Sequence, residues 1–138
     1  MQSKLNPYIS FEGNAREAME FYKTVFGGNL NMRTFQEFHA SQDPSEDNKI
    51  MHSVLEGENG ITFFASDTPD KMEYRPGNNI SMSLTGDNEA ELAGYFEKLS
   101  AGGMVAMPLE KAQWGDSFGM CIDKFGIQWL VNISGQKG

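Results

Sequence analysis

The 138-residue chain has a single cysteine, Cys121, so an intrachain disulfide is impossible and a disulfide-stapled secreted scaffold is excluded. Apolar runs are short. None approaches the roughly 20 residues that a membrane-crossing helix needs, and no basic-then-apolar leader opens the sequence. Basic residues are scarce: eleven Lys and Arg stand against nineteen Asp and Glu, a formal net charge of −8. That field repels phosphate backbones, which sets nucleic acid aside as a partner. There are only two histidines, His39 and His52, and they form no H-x-x-x-H or H-E-x-x-H pair. No glycine-rich strand-to-helix loop and no G-x-S-x-G elbow occurs, which argues against a dinucleotide site or a serine-hydrolase nucleophile. The expectation is a soluble cytoplasmic protein of one domain, with no cofactor and neither a nucleic-acid nor a membrane partner.

Hydrophobic residues make up 39% and aromatics 12%, enough for a packed core. Ala15, Ala18, Met19, Tyr22, Val25 and Phe26 recur at spacings of three and four, the stripe of an amphipathic helix. Asn14 and Glu17 stand as a capping pair ahead of it, and Gly27-Gly28 closes it. The same arrangement returns 74 residues on. Asn88 and Glu91 lead Leu92, Ala93, Phe96 and Leu99, with Gly102-Gly103 as the stop. Short alternating strands precede both helices, at Tyr8 to Phe11 and at Ile80 to Leu84. After the first helix, strand patterns run over Leu30 to Phe38, Ile50 to Leu55 and Ile61 to Ala65. After the second they run over Met104 to Met107, Phe118 to Ile122 and Ile127 to Ile133. The polar stretches His39 to Lys49 and Asp67 to Asn79 read as mobile loops, and Pro108 to Ser117 as irregular.

Each half thus reads strand, helix, strand, strand, strand. The expected fold is α+β: tandem βαβββ modules, 1–67 and 79–138, joined by a linker 68–78. Their strands would form a curled, partly open mixed sheet around a cleft, with the helices outside. Ligand sites favour such concave faces.

Several phrases together resemble the PhnB-like branch of the vicinal oxygen chelate superfamily of glyoxalases, bleomycin-resistance proteins and extradiol dioxygenases. They are Asn6-Pro-Tyr-Ile-Ser-Phe11 followed by Gly13-Asn14, Glu20-Phe-Tyr22, Val25-Phe-Gly-Gly28, Met51-His52, Ala65-Ser-Asp67, Gly103-Met-Val-Ala-Met-Pro-Leu109, Trp114-Gly-Asp116, Asp123-Lys-Phe-Gly126 and Trp129-Leu-Val-Asn132. The resemblance implies a homodimer with small-molecule clefts. It also places the superfamily's four metal-ligand positions near Asn6, at or beside Phe64, at Asn79 and at Leu130. None is His, Glu, Asp or Cys, so the usual metal centre is expected to be absent.

Strand alternation selects the cleft residues. If Ile9 and Phe11 face the first helix, Tyr8 and Ser10 face the cleft. Met51, Ser53 and Leu55 suit the helix side, which turns His52 and Val54 the other way. Ser81 and Ser83 follow Asn79, while Ile80, Met82 and Leu84 pack outward. Gln128, Leu130 and Asn132 share one face of the last strand. His52, with Tyr8, is the candidate general base or hydrogen-bonding pair; a hydrogen-bonded sheet histidine is the plainer alternative. Trp114 and Phe118 flank Asp116 and suit a flat or cationic ligand, unless Trp114 plugs the barrel end and Asp116 caps a turn. His39, beside Glu37, reads as a solvated loop histidine, and Cys121 as core. Two function classes stay open: a metal-free binding module for a small organic molecule, or an enzyme. The runner-up within the second class is a metal-dependent lyase or dioxygenase using non-standard ligands. A purely structural interaction module is a third reading.

Overall fold

The computed structural model describes residues 3–135. The chain divides into two compact units, Met1–Pro76 and Gly77–Gly138. None of the helices described is long and apolar enough to cross a membrane.

The first unit holds β1 (Tyr8–Phe11), α1 (Ala15–Phe26), β2 (Asn29–Thr34), β3 (Ile50–Glu56) and β4 (Thr62–Asp67). Its sheet order is β1-β4-β3-β2, with β1 and β4 parallel and the other pairs antiparallel. The helix forms where the apolar spacing demands it: all six stripe residues from Ala15 to Phe26 are at most 4% exposed. Each fully buried larger side chain among them contributes about 1.5–3 kcal/mol of transfer free energy. Phe63 of β4 takes Tyr22 and Phe26 edge-on, with centroids 5.4 and 6.2 Å away. That contact fixes which side of the sheet the helix covers. At the other end of α1, a Cβ on Gly28 would collide with the Glu56 carbonyl oxygen, and the residue's φ of +83° also calls for glycine.

The start of α1 departs from expectation. Asn14 makes no side-chain capping bond. Instead Asp67, at the end of β4, turns Oδ1 to the Ala15 N–H at 2.9 Å and Oδ2 to the Ile50 N–H at 2.8 Å. A buried carboxylate is a stronger acceptor than an amide and complements the helix dipole, so the distant acid takes the cap.

Two further differences lie in the same unit. The β2 strand stops at Thr34, short of Phe38, because Glu37 folds back to accept from the Thr34 N–H and hydroxyl. Register then skips one residue of β3: Arg33 pairs with His52 and Thr34 with Ile50. Met51 is the extra residue of this bulge and is 37% exposed, not packed under the helix. The loop His39 to Lys49 also has more structure than its polarity implies. It carries a single 3-10 turn at Pro44–Glu46, started by an Asp43 cap, and Glu46 is 1% exposed.

The second unit holds β5 (Met82–Gly86), α2 (Glu89–Ser100), β6 (Met104–Lys111), β7 (Ser117–Ile122) and β8 (Gln128–Ile133). Its order is β5-β8-β7-β6, again with one parallel pair, β5 and β8. Here the local cap is made: Asn88 Oδ1 accepts the Glu91 N–H at 3.1 Å. Leu92, Tyr95, Phe96 and Leu99 are buried, whereas Ala93 is half-buried. The first strand begins two residues after Ile80, which is 82% exposed rather than packed outward under the helix. Pro108 does not end β6; the strand runs on to Lys111 with register shifts on both sides of Met107. An edge strand tolerates proline, since one of its edges has no partner to receive an N–H.

Asp123 closes the turn between β7 and β8. One carboxylate oxygen accepts the Phe125 and Ile127 N–H groups at 2.8 and 3.1 Å, and the other accepts the Trp129 indole N–H at 2.8 Å. Beside it, burial and the Asp123 charge push the Cys121 thiol up to about 11. A thiol that is both buried and protonated at pH 8 is a poor nucleophile. Iodoacetamide at pH 8 is therefore expected to alkylate native Cys121 at least about a hundredfold more slowly than the urea-unfolded chain. Equal rates, read by mass spectrometry, would contradict this packing.

Candidate functional site

Each helix covers one face of its sheet, and the side chains of interest stand on the other. In the first unit Phe63, Ala65 and Asp67 are buried on the α1 side, so Thr62, Phe64 and Ser66 alternate to the helix-free face. Parallel register sets Tyr8 against Phe64 and Ser10 against Ser66. The rings of Tyr8 and Phe64 lie 6.2 Å apart, inclined by 25°. His52 reaches the same ring from β3, with a centroid separation of 5.8 Å and an inclination of 25°. Tyr8, Phe64 and His52 thus form a row of near-parallel rings across three strands. Tyr8 is 55% exposed, so its face is open to solvent. Asn6 stands just ahead of β1, half-exposed.

The bulge matters here. It absorbs one residue at Met51, so Ile50 returns to the helix side while Met51 and His52 are both exposed. Arg33, the cross-strand partner of His52, joins the row's edge and pairs with Glu37 at 3.3 Å. Backbone and hydroxyl donation from Thr34, together with Arg33, holds the exposed Glu37 carboxyl below its ordinary value. Sequence reading missed Arg33 and Ser66. Ser66 could have been found by continuing the Phe64 alternation; Arg33 could not, because its neighbour depends on the bulge.

In the second unit, register groups Ser83, Leu130 and Met120, then Thr85, Asn132 and Phe118. Gly119 faces Phe96 of α2 so closely that a Cβ would crowd it, which confirms that Phe118 and Met120 point away from the helix. Gln128 accepts from the Ser81 hydroxyl at 3.1 Å and donates to the Asn78 carbonyl at 3.2 Å. Asn79 lies outside the sheet and is exposed. Trp114 is 66% exposed and meets Phe118 edge-on at 6.2 Å. Asp116 is held otherwise: Oδ2 accepts from Asn132 Nδ2 at 3.0 Å and Oδ1 from the Gly135 N–H at 2.9 Å. The acid between the two rings thus fastens the chain after β8.

The buried carboxylates are engaged as well. Asp67 and Asp123 accept as described above, and Glu46 accepts the Gln42 and Asp70 N–H groups. The positions to which the resemblance assigns metal ligands, near Asn6, at or beside Phe64, at Asn79 and at Leu130, carry two amides, a phenyl ring and an isobutyl group. That donor set does not fit a divalent cation, which takes imidazole, carboxylate or thiolate ligands. Among the described residues no group of three or more His, Cys, Asp or Glu is placed to hold a metal.

The family model described as 3-demethylubiquinone-9 3-methyltransferase matches residues 3–132. The crystal structure of protein PA1353 from Pseudomonas aeruginosa is 36% identical, with a TM-score of 0.81 over 98% of this chain and 100% of that one. The PhnB protein from Bacillus cereus is 26% identical, with a TM-score of 0.76 over 96% and 100%. A glyoxalase/bleomycin resistance protein/dioxygenase domain from Frankia is 13% identical, with a TM-score of 0.66 over 100% and 96%; this is a likeness of fold alone. The chain belongs to the PhnB-like family that carries the 3-demethylubiquinone-9 3-methyltransferase description, and it has a glyoxalase-type fold.

Proposed function

We propose that the protein is a homodimeric small-molecule binder that holds a flat organic ligand on its helix-free sheet faces without a metal. The observation that carries this reading is the open row of Tyr8, Phe64 and His52, three near-parallel rings within 6.2 Å of their neighbours. A planar molecule laid on that row gains stacking contact over several rings. The Tyr8 hydroxyl, the His52 imidazole and the Ser10 and Ser66 hydroxyls then supply directional hydrogen bonds. The homodimer follows from the PhnB-like pattern of the sequence.

The family description names a methyl transfer. Among the described residues, the Ala15 N–H at the start of α1 is taken by Asp67 and the Glu91 N–H at the start of α2 by Asn88. Binding is the activity the residues support directly, with His52 as the group able to move a proton should the ligand prove a substrate.

A thermal-shift screen of flat organic compounds tests the reading, since a ligand at one hundred times its Kd stabilises by about 2.7 kcal/mol. Phe64→Ala should weaken any hit by roughly 10–100-fold while leaving the fold intact, because Phe64 is half-exposed on the face away from α1. His52→Ala should weaken it by less than about tenfold. Unchanged affinity in Phe64→Ala, measured by titration calorimetry, would overturn the assignment. Loss of turnover in His52→Ala would make the protein an enzyme.

A further inference from the structure

The segment that leaves the first unit is tied down by an acid that the ligand face does not use. Glu46 is 1% exposed, and its two oxygens serve different stretches of chain. Oε2 accepts the Gln42 N–H at 3.1 Å, within its own loop, and Oε1 accepts the Asp70 N–H at 2.8 Å, three residues beyond β4. Lys49 adds a second tie, its Nζ lying 2.9 Å from Asp70 Oδ1. Thr68 donates to the Phe11 carbonyl at 2.7 Å and Met72 to that of Pro69 at 2.9 Å, which completes an anchored stretch. The far end is held inside the second unit, where Gln128 binds Asn78 and Ser81. Between the anchors, residues 73–77 have no regular structure.

We propose that Glu46 is a latch that fixes where the connector leaves the first unit, limiting the unanchored span to residues 73–77. A buried carboxylate that bridges two backbone N–H groups from separate loops is suited to this. When it is lost, both donors are left without an acceptor, and the anchored stretch 68–72 joins the free span. Lys49 and Asp70, exposed to solvent in part, act as the weaker tie.

Proteolysis distinguishes the two stretches. Trypsin at Lys71 probes the anchored part and chymotrypsin at Tyr74 the free span, and cleavage follows local opening. The native chain should be cut at Tyr74 well before Lys71. Glu46→Gln keeps the size but turns an NH2 toward one of the two N–H donors. It should raise cleavage at Lys71 by at least about tenfold, the worth of one charge-assisted hydrogen bond, and at Tyr74 by less than about twofold. Lys49→Met should raise cleavage at Lys71 by less than about threefold. An unchanged rate at Lys71 in folded Glu46→Gln would overturn the latch. If that variant fails to fold, amide exchange in the native protein decides. The Gln42 and Asp70 amides should share one opening free energy, and protection factors differing by more than about tenfold would refute a common latch.

Discussion

Asp123→Ala is expected to destabilise the protein by about 4 kcal/mol and to lower Tm by roughly 10 °C, measured by urea and thermal denaturation. The carboxylate accepts from two backbone N–H groups and from the Trp129 indole, and it is 3% exposed. Its removal leaves those donors without their acceptor in a place where water does not easily follow, and each such orphan costs about 1–3 kcal/mol. Asp123→Asn separates the contributions. One oxygen still serves the turn, but the NH2 then faces the indole N–H, donor against donor. Adding Trp129→Phe to Asp123→Asn should therefore cost less than Trp129→Phe costs in the native background, a coupling of about 1 kcal/mol. A loss below about 1 kcal/mol in Asp123→Ala would show that the turn stands without its acid.

Asp67→Ala is the second large effect, at about 3 kcal/mol by the same measurements. Asp67 joins three elements at once, since it ends β4, caps α1 through Ala15 and anchors β3 through Ile50. Asn14→Ala serves as the contrast. Asn14 makes no capping bond, so its loss should cost under about 0.5 kcal/mol, where a working cap costs about 1 kcal/mol. If the two variants exchanged places in this ranking, the Asp67 cap would be wrong.

These two acids mark the boundary of what could be read from sequence. The helices were legible because a stripe at three and four residues can be buried in only one way, and the strands because alternation selects a face. The cap on α1 was not, since local spacing points to Asn14, whereas the acceptor in use lies 52 residues from Ala15. Glu46 sits among Ser, Asp and Asn, a composition that reads as solvated loop until its two N–H partners are known. Alternation puts His52 on the helix-free side, where it meets Phe64, but it misplaces Met51, because a bulge breaks the period of two at a point that alternation does not mark. At Trp114-Gly-Asp116 the residue types suggest an acid for a ligand. Only the folded chain shows that acid committed to Asn132 and Gly135.

The central claim is that recognition happens on the aromatic row of the first sheet and not at a metal. Backbone amide shift mapping of the isotope-labelled protein, titrated with a hit from the thermal-shift screen, addresses it most directly. The account predicts the largest shifts at Tyr8, Ser10, His52, Phe64 and Ser66, unaffected by a chelator. Shifts concentrated at α1 and its buried stripe, or shifts abolished when the chelator is added, would contradict it.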